Sequence, residues 1–175
     1  MQPNRAHKIA RRAARAADWL TWRRRPRAFE RHLSRSAPVV DWLRARGHTS
    51  PNVLAILMVE SFYRPRRVRA VEYAFWAAAS AIGRPSVERL SVGRAQVQLT
   101  HWQSLGLLQD TRFSRDALAR VRDAETNYVA CQRFLEREGT LAEREDSALA
   151  LSYTGASSRY TNLIGAARRA VVAQG

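Results

Sequence analysis

Ser50-Pro51-Asn52-Val53-Leu54-Ala55-Ile56-Leu57-Met58-Val59-Glu60-Ser61 is the stretch whose pattern sets the fold. Ser50 before Pro51 has the form of a helix N-cap followed by a first helical residue, where a missing N–H is harmless. Val53, Leu54, Leu57 and Met58 recur at helical spacing and define an apolar face. Pro65 stops the helix near Tyr63, because the residue before a proline is pushed out of the helical region. Glu60 therefore falls in the last turn of an apolar helix. Apolar surroundings and the negative end of the helix dipole both disfavour its charged form, so its pKa rises. A carboxyl that keeps its proton near neutral pH can act as a general acid.

The same punctuation continues outward. A short helix is expected from Pro38 to Arg46, stopped by Gly47. Residues 66–82 read as another, with Val68, Val71, Phe75, Trp76 and Ile82 as core positions, closed by Gly83 and Pro85. A loop over 84–93 delivers Ser91 and Gly93. A helix from about Arg94 to Leu105 then carries Gln96 and Trp102 and ends near Gly106. Ser114 caps a long helix reaching Glu138, with Gly139 as its stop. Thr140-Leu141-Ala142-Glu143 matches a capping box and opens a helix to about Tyr153. Thr154-Gly155-Ala156-Ser157 is a turn, and a last helix runs from Ser158 to Ala173. Glycine numbers 8 and proline 6, and Val-Ile-Thr alternation is nearly absent. The class is all-α. With 46% hydrophobic residues the chain is globular rather than disordered.

Charge divides the chain. Formal net charge is +15, carried by Lys8 and twenty-nine arginines. Residues 1–35 hold eleven Lys/Arg against Asp18 and Glu30, a net +9. Ala10, Ala13, Ala14, Ala17, Trp19, Leu20 and Trp22 interleave with these arginines at helical spacing until Arg23-Arg24-Arg25-Pro26 breaks the pattern. The expected organisation is a basic helical N-terminal extension (1–35) and one helical domain (36–175). The extension reads either as a solvated helix packed by its tryptophans or as an anchor to an anionic surface or polymer.

Three segments carry the chemistry: Glu60-Ser61, Ser91-Val92-Gly93-Arg94-Ala95-Gln96, and Tyr153-Thr154-Gly155 followed by Tyr160. Their order resembles the lysozyme-like lytic transglycosylases of the soluble type. That family has a catalytic Glu-Ser at a helix end, a Gly-x-x-Gln segment and a late Tyr-Asn-Gly turn with a second tyrosine. The resemblance covers roughly residues 50–170. Thr154 stands where the family has Asn, and Arg94-Ala95 replaces its apolar pair.

The resemblance implies a single lysozyme-like domain that cuts the β-1,4 bond between N-acetylmuramic acid and N-acetylglucosamine in peptidoglycan. It implies Glu60 as general acid and then base, closing a 1,6-anhydro ring without a second carboxylate. A hydrolytic lysozyme stays open, with Glu72 and Glu88 the nearest further acids. Ser61, Ser91, Gly93, Gln96, Asn127, Tyr153, Thr154 and Tyr160 are the expected substrate-binding set. Gln96 could donate to a sugar acetamide or to Glu60. Tyr153 could donate to Glu60, and Tyr160 could pack on a sugar ring. Both tyrosines would equally suit core packing with satisfied hydroxyls.

Other chemistries lack their residues. His7, His32, His48 and His101 are scattered, so no metal site is expected, nor any cofactor. Cys131 is the lone cysteine and reads as a buried apolar residue. Trp102 reads as core. No apolar run reaches the length of a membrane span, and no cleavable signal peptide is evident. Action at the cell wall or periplasm would then need phage lysis or a specialised secretion route. Two competing readings remain: a basic helical nucleic-acid-binding protein, supported by pI ≈ 11.5 and the arginine-rich start, and a lysozyme-like protein that binds glycan without cutting it.

Overall fold

A computed structural model of the protein describes residues 26–143, 145–154 and 158–173. The described chain is all-α, with eight α-helices and one two-stranded hairpin. The expected basic helix before Pro26 lies outside the described residues, as does the turn at 155–157.

Helix α1 (Pro26–Arg44) leads into α2 (Pro51–Tyr63), the centre of the molecule. Its bounds are those expected from Ser50, Pro51 and Pro65. Ser50 caps without its side chain; its backbone N–H instead donates to the Tyr128 hydroxyl at 2.8 Å. Every residue from Asn52 to Glu60 is buried. A helix apolar all round must be enclosed on all sides, and α1, α6 (Ala124–Arg137) and above all α8 (Ser158–Ala173) enclose it. Asn52 and Glu60 are its polar exceptions, and the Asn52 amide donates to Leu141 O and Glu143 O, both at 2.8 Å.

Helix α1 corrects the short helix expected from Pro38. It runs straight through Pro38, and the division at 35/36 falls inside it. The proline ring faces solvent, while Phe29, Val40 and Leu43 are buried on the inner side. An interior proline costs about 3 kcal/mol. Three fully buried apolar side chains contribute about 1.5–3 kcal/mol each, which is enough to hold the helix together.

Helix α3 (Arg66–Ala81) forms where expected but with another face inward. Arg69, Trp76 and Ala79 are buried, whereas Val71 is 70%, Ile82 67%, Phe75 49% and Val68 37% exposed. Trp76 decides the rotation. It is the largest apolar residue of the helix, its Nε1 donates to Thr111 O at 2.9 Å, and Phe113 packs edge-on against it. A 3₁₀ turn (Pro85–Arg89), carrying exposed Glu88, leads to the hairpin.

The hairpin corrects the helix expected from Arg94. Strands β1 (Ser91–Val92) and β2 (Val97–Gln98) pair antiparallel, with Ser91 opposite Gln98 and Val92 opposite Val97. Gly93-Arg94-Ala95-Gln96 is their connection, and α4 (Leu99–Ser104) begins only afterwards. Trp102 on α4 is fully buried and donates to Val97 O at 3.1 Å.

The long helix expected from Ser114 is two. Ser114 does cap α5 (Arg115–Arg122), accepting from Ala117 N at 3.0 Å. Asp123 then adopts an extended conformation and caps α6, accepting from Thr126 N at 2.7 Å. An aspartate that can satisfy an orphan N–H favours a fresh start over an unbroken helix. Thr140–Glu143 forms a turn rather than a helix start, and α7 (Asp146–Thr154) begins three residues later than that turn. Helix α8 then spans the residues expected of it.

Candidate functional site

The site assembles where the end of α2 meets α8, α3 and the hairpin turn. Glu60 is 9% exposed, and its Oε1 accepts a hydrogen bond from the Tyr160 hydroxyl. Tyr160 comes from the first turns of α8, the helix packed most extensively on α2. Its ring stacks on that of Tyr63, with centroids 6.0 Å apart and planes within 8°. Burial is the dominant influence on Glu60 and raises its pKa to about 7. Tyr160 and the Arg64 charge oppose the rise, and a second carboxylate, Glu72, adds to it.

Glu72 is the residue that reading the sequence undervalued. It lies on α3, yet its side chain is only 13% exposed. Arg64 Nη1 pairs with its Oε1 at 2.7 Å, and Gln96 Nε2 approaches its Oε2 at 3.3 Å. Arg64 and Gln96 thus fix the Glu72 side chain beside Glu60, an acid whose charge is disfavoured. Arg64 had a usable signal in the sequence, since it stands one helical turn after Glu60.

The expected set is brought together in part, with several roles changed. Gln96 sits on the hairpin turn at φ 53° and donates to Glu72 and to Gly93 O rather than to Glu60. Tyr160 takes the partner expected of Tyr153 and donates to Glu60, while Tyr153 donates to Ala95 O and supports the turn. Tyr153 still lies close enough to Glu60 for the carboxylate charge to raise its pKa, behind the larger effect of burial. Gly93, at φ +79°, is required by packing: a Cβ there would lie 2.3 Å from Asn127 Oδ1. Ser91 is half-buried in register with Gln98 on the hairpin. Thr154 closes α7, and its side chain lies outside the described residues.

Asn127 and Ser61 turn away from the acid. Asn127 is fully buried; its Oδ1 accepts from Arg94 N at 2.6 Å and Ala95 N at 3.1 Å, and its amide donates to Val121 O at 2.9 Å. It is the clamp of the turn, not a lining residue. Ser61 pairs with His32 Nε2 on α1 at 2.9 Å and donates to Met58 O at 3.0 Å. Burial lowers the His32 pKa. His101 is partly exposed against Phe134 and Arg137. Cys131 is fully buried, and its thiol pKa is pushed up by that burial.

Two concavities lie away from the Glu60 carboxyl. One is a narrow groove with about 20 Å³ of room between α1 and α2, lined in part by Leu54, Met58, Ser61 and Arg94; the other surrounds residues 106–120. Among the described residues no three His, Cys, Asp or Glu side chains converge to hold a metal ion, and no helix is long and apolar enough to cross a membrane. Comparison with known protein families, curated proteins and solved structures returns no match for this chain.

Proposed function

We propose that this chain is a peptidoglycan-cleaving enzyme, a lytic transglycosylase in the first instance, with Glu60 as its acid and base. The observation that carries the reading is the enclosed Glu60 carboxyl, held by Tyr160 at the end of the central helix and balanced near neutrality at about 7. Such a group can give a proton to the glycosidic oxygen as the C1–O bond breaks. As carboxylate it can then take the proton of the muramoyl C6 hydroxyl, whose oxygen bonds to C1. Glu60 ends protonated, and no water is consumed. Tyr63, Glu72 and Gln96 are partly exposed, and a glycan would approach past them.

One observation favours a hydrolytic variant of the same reading. Glu72 is a second carboxyl group beside the first, ion-paired with Arg64. It could stabilise the positive charge that develops on the sugar ring or orient a water for attack. The basic surface suits an anionic wall polymer in either case.

The deciding experiment is digestion of purified sacculi by the wild type and by Glu60→Gln, with soluble products analysed by mass spectrometry. Release by the wild type and none by the variant supports the proposal. Anhydro ends mark a transglycosylase and reducing ends a hydrolase. Equal release by both proteins, or none by either, refutes it, and a polyanion-binding protein becomes the better account.

A further inference from the structure

Among the described residues a group of arginines beside Glu72 forms no ion pair of its own, although Glu72 and Asp123 act on it from nearby. Arg66, Arg69 and Tyr73 recur at i, i+3 and i+7 and share the face of α3 turned towards the hairpin. The hairpin turn packs against that helix, tied to it by the Gln96–Glu72 hydrogen bond, and carries Arg94. Arg69 is 9% exposed, and its Nη1 is sealed from solvent with no hydrogen-bond partner. Arg44 also has a sealed Nη1, but its guanidinium is anchored through Nη2 to Val171 O. Arg69 has no such anchor among the described residues.

The carboxylates within range are already engaged. Glu72 binds Arg64 with one oxygen and Gln96 with the other, and Asp123 caps α6. Arg94 is half-buried and, among the described residues, joins no salt bridge. The cations are close enough to depress one another's pKa, on top of the larger effect of burial. Tyr73, half-buried among them, remains a neutral phenol able to donate. A buried guanidinium without a partner is costly, and a planar fork of donors fits a carboxylate. Arg66 is exposed and Tyr73 and Arg94 are half-buried, so the group meets solvent at its rim.

We propose that Arg69 and Arg94, with Arg66 at the rim and Tyr73 as an added donor, form a carboxylate-binding site that takes an acidic group of the muramoyl residue next to the bond cut at Glu60. This rests on the reading of the chain as a wall-glycan enzyme and names the feature of the substrate it recognises. The acidic group can be the lactyl carboxylate or a carboxylate of the attached peptide.

The test is calorimetric titration of the full chain with N-acetylmuramic acid, with N-acetylmuramoyl-L-alanyl-D-isoglutamine, and with neutral N-acetylglucosamine as control. Wild type, Arg94→Gln, Arg69→Gln and the charge-conserving Arg69→Lys are compared after circular dichroism confirms their fold. The proposal expects the acidic probes to bind, the Gln variants to lose at least tenfold in affinity for them, and Arg69→Lys to recover part of it. On sacculi, Arg94→Gln should raise KM with kcat nearly unchanged. Binding of the muramic acid itself marks the lactyl carboxylate; binding of the dipeptide probe alone marks the peptide. Arginine-dependent binding by a wild type that cuts no sacculi leaves the site standing and removes the enzymatic reading. Cleavage by a chain whose acidic-probe affinity is absent, or unchanged in folded Arg94→Gln, removes the site and leaves the enzyme.

Discussion

Glu60→Gln should make the protein more stable at alkaline pH while destroying its proposed activity. The wild-type carboxyl is buried, and its pKa rises from an ordinary 4.5 to about 7 on folding. A group whose folded pKa is raised contributes its full stability below the unfolded value, and that contribution is lost as pH climbs through the folded value. At about 1.4 kcal/mol per pH unit, the rise is equivalent to about 3 kcal/mol lost between pH 4.5 and pH 7. Glutamine occupies nearly the same volume, stays neutral, and keeps an oxygen to accept from Tyr160. The variant escapes the loss. Urea unfolding at pH 4, 5.5, 7 and 8.5 measures this directly, read as variant minus wild type so that every other titrating group cancels. The difference should be close to its baseline at pH 4 and grow to about 3 kcal/mol in the variant's favour by pH 8.5. A difference that stays flat with pH would refute the reasoning, because it would mean that Glu60 ionises in the folded protein as readily as in the unfolded chain.

The remaining predictions concern its neighbours. Tyr160→Phe removes a donor to the charged form of Glu60, so the Glu60 pKa should move upward from about 7. In a pH profile of kcat/KM the alkaline limb, where the acid loses its proton, should shift to higher pH. Asn127→Ala leaves the N–H groups of Arg94 and Ala95 without their acceptor. Unfolding should show a loss of about 2–4 kcal/mol, and sacculus cleavage should fall with it as the turn loosens. Val71→Ser and Phe75→Ser alter only the outer face of α3, so each should change stability by no more than about 0.5 kcal/mol in the same assay, despite lying in an apolar pattern.

Much of the framework was legible because it is governed by local rules. Ser50-Pro51 and Pro65 bound α2, and Ser158 to Ala173 forms α8, because capping and proline geometry act within a few residues. Other features were settled at a distance. Gly93 to Gln96 reads as a helix start by local pattern. It becomes a hairpin turn because Asn127, some thirty residues onward, clamps its backbone N–H groups. The apolar stripe of Val68, Val71, Phe75 and Ile82 is as regular as any core face. Trp76 nevertheless takes the inner side, where its ring finds Phe113 and its N–H finds Thr111. Asp123 carried a local signal, an N-cap residue three before Thr126, that an unbroken helical reading passed over.

In the site, position along the chain indicated which residues gather more reliably than which partners they take. Glu60, Gln96, Tyr153 and Tyr160 gather around one region, yet Tyr160 takes the partner expected of Tyr153 and the glutamine serves Glu72. Hydrogen-bond partners depend on the relative placement of whole helices, and neither spacing nor composition encodes that.

By itself the sequence determined a helical chain, an apolar central helix and an acid at its end, since helix boundaries and apolar periodicity are properties of neighbouring residues. Only the tertiary structure decided that Tyr160 holds that acid, that Glu72 stands beside it, and that Arg69 is buried without an ion pair among the described residues. Those facts arise from side chains far apart in the chain sharing a small, water-poor volume, where each charge must be met by whatever packing brings within reach.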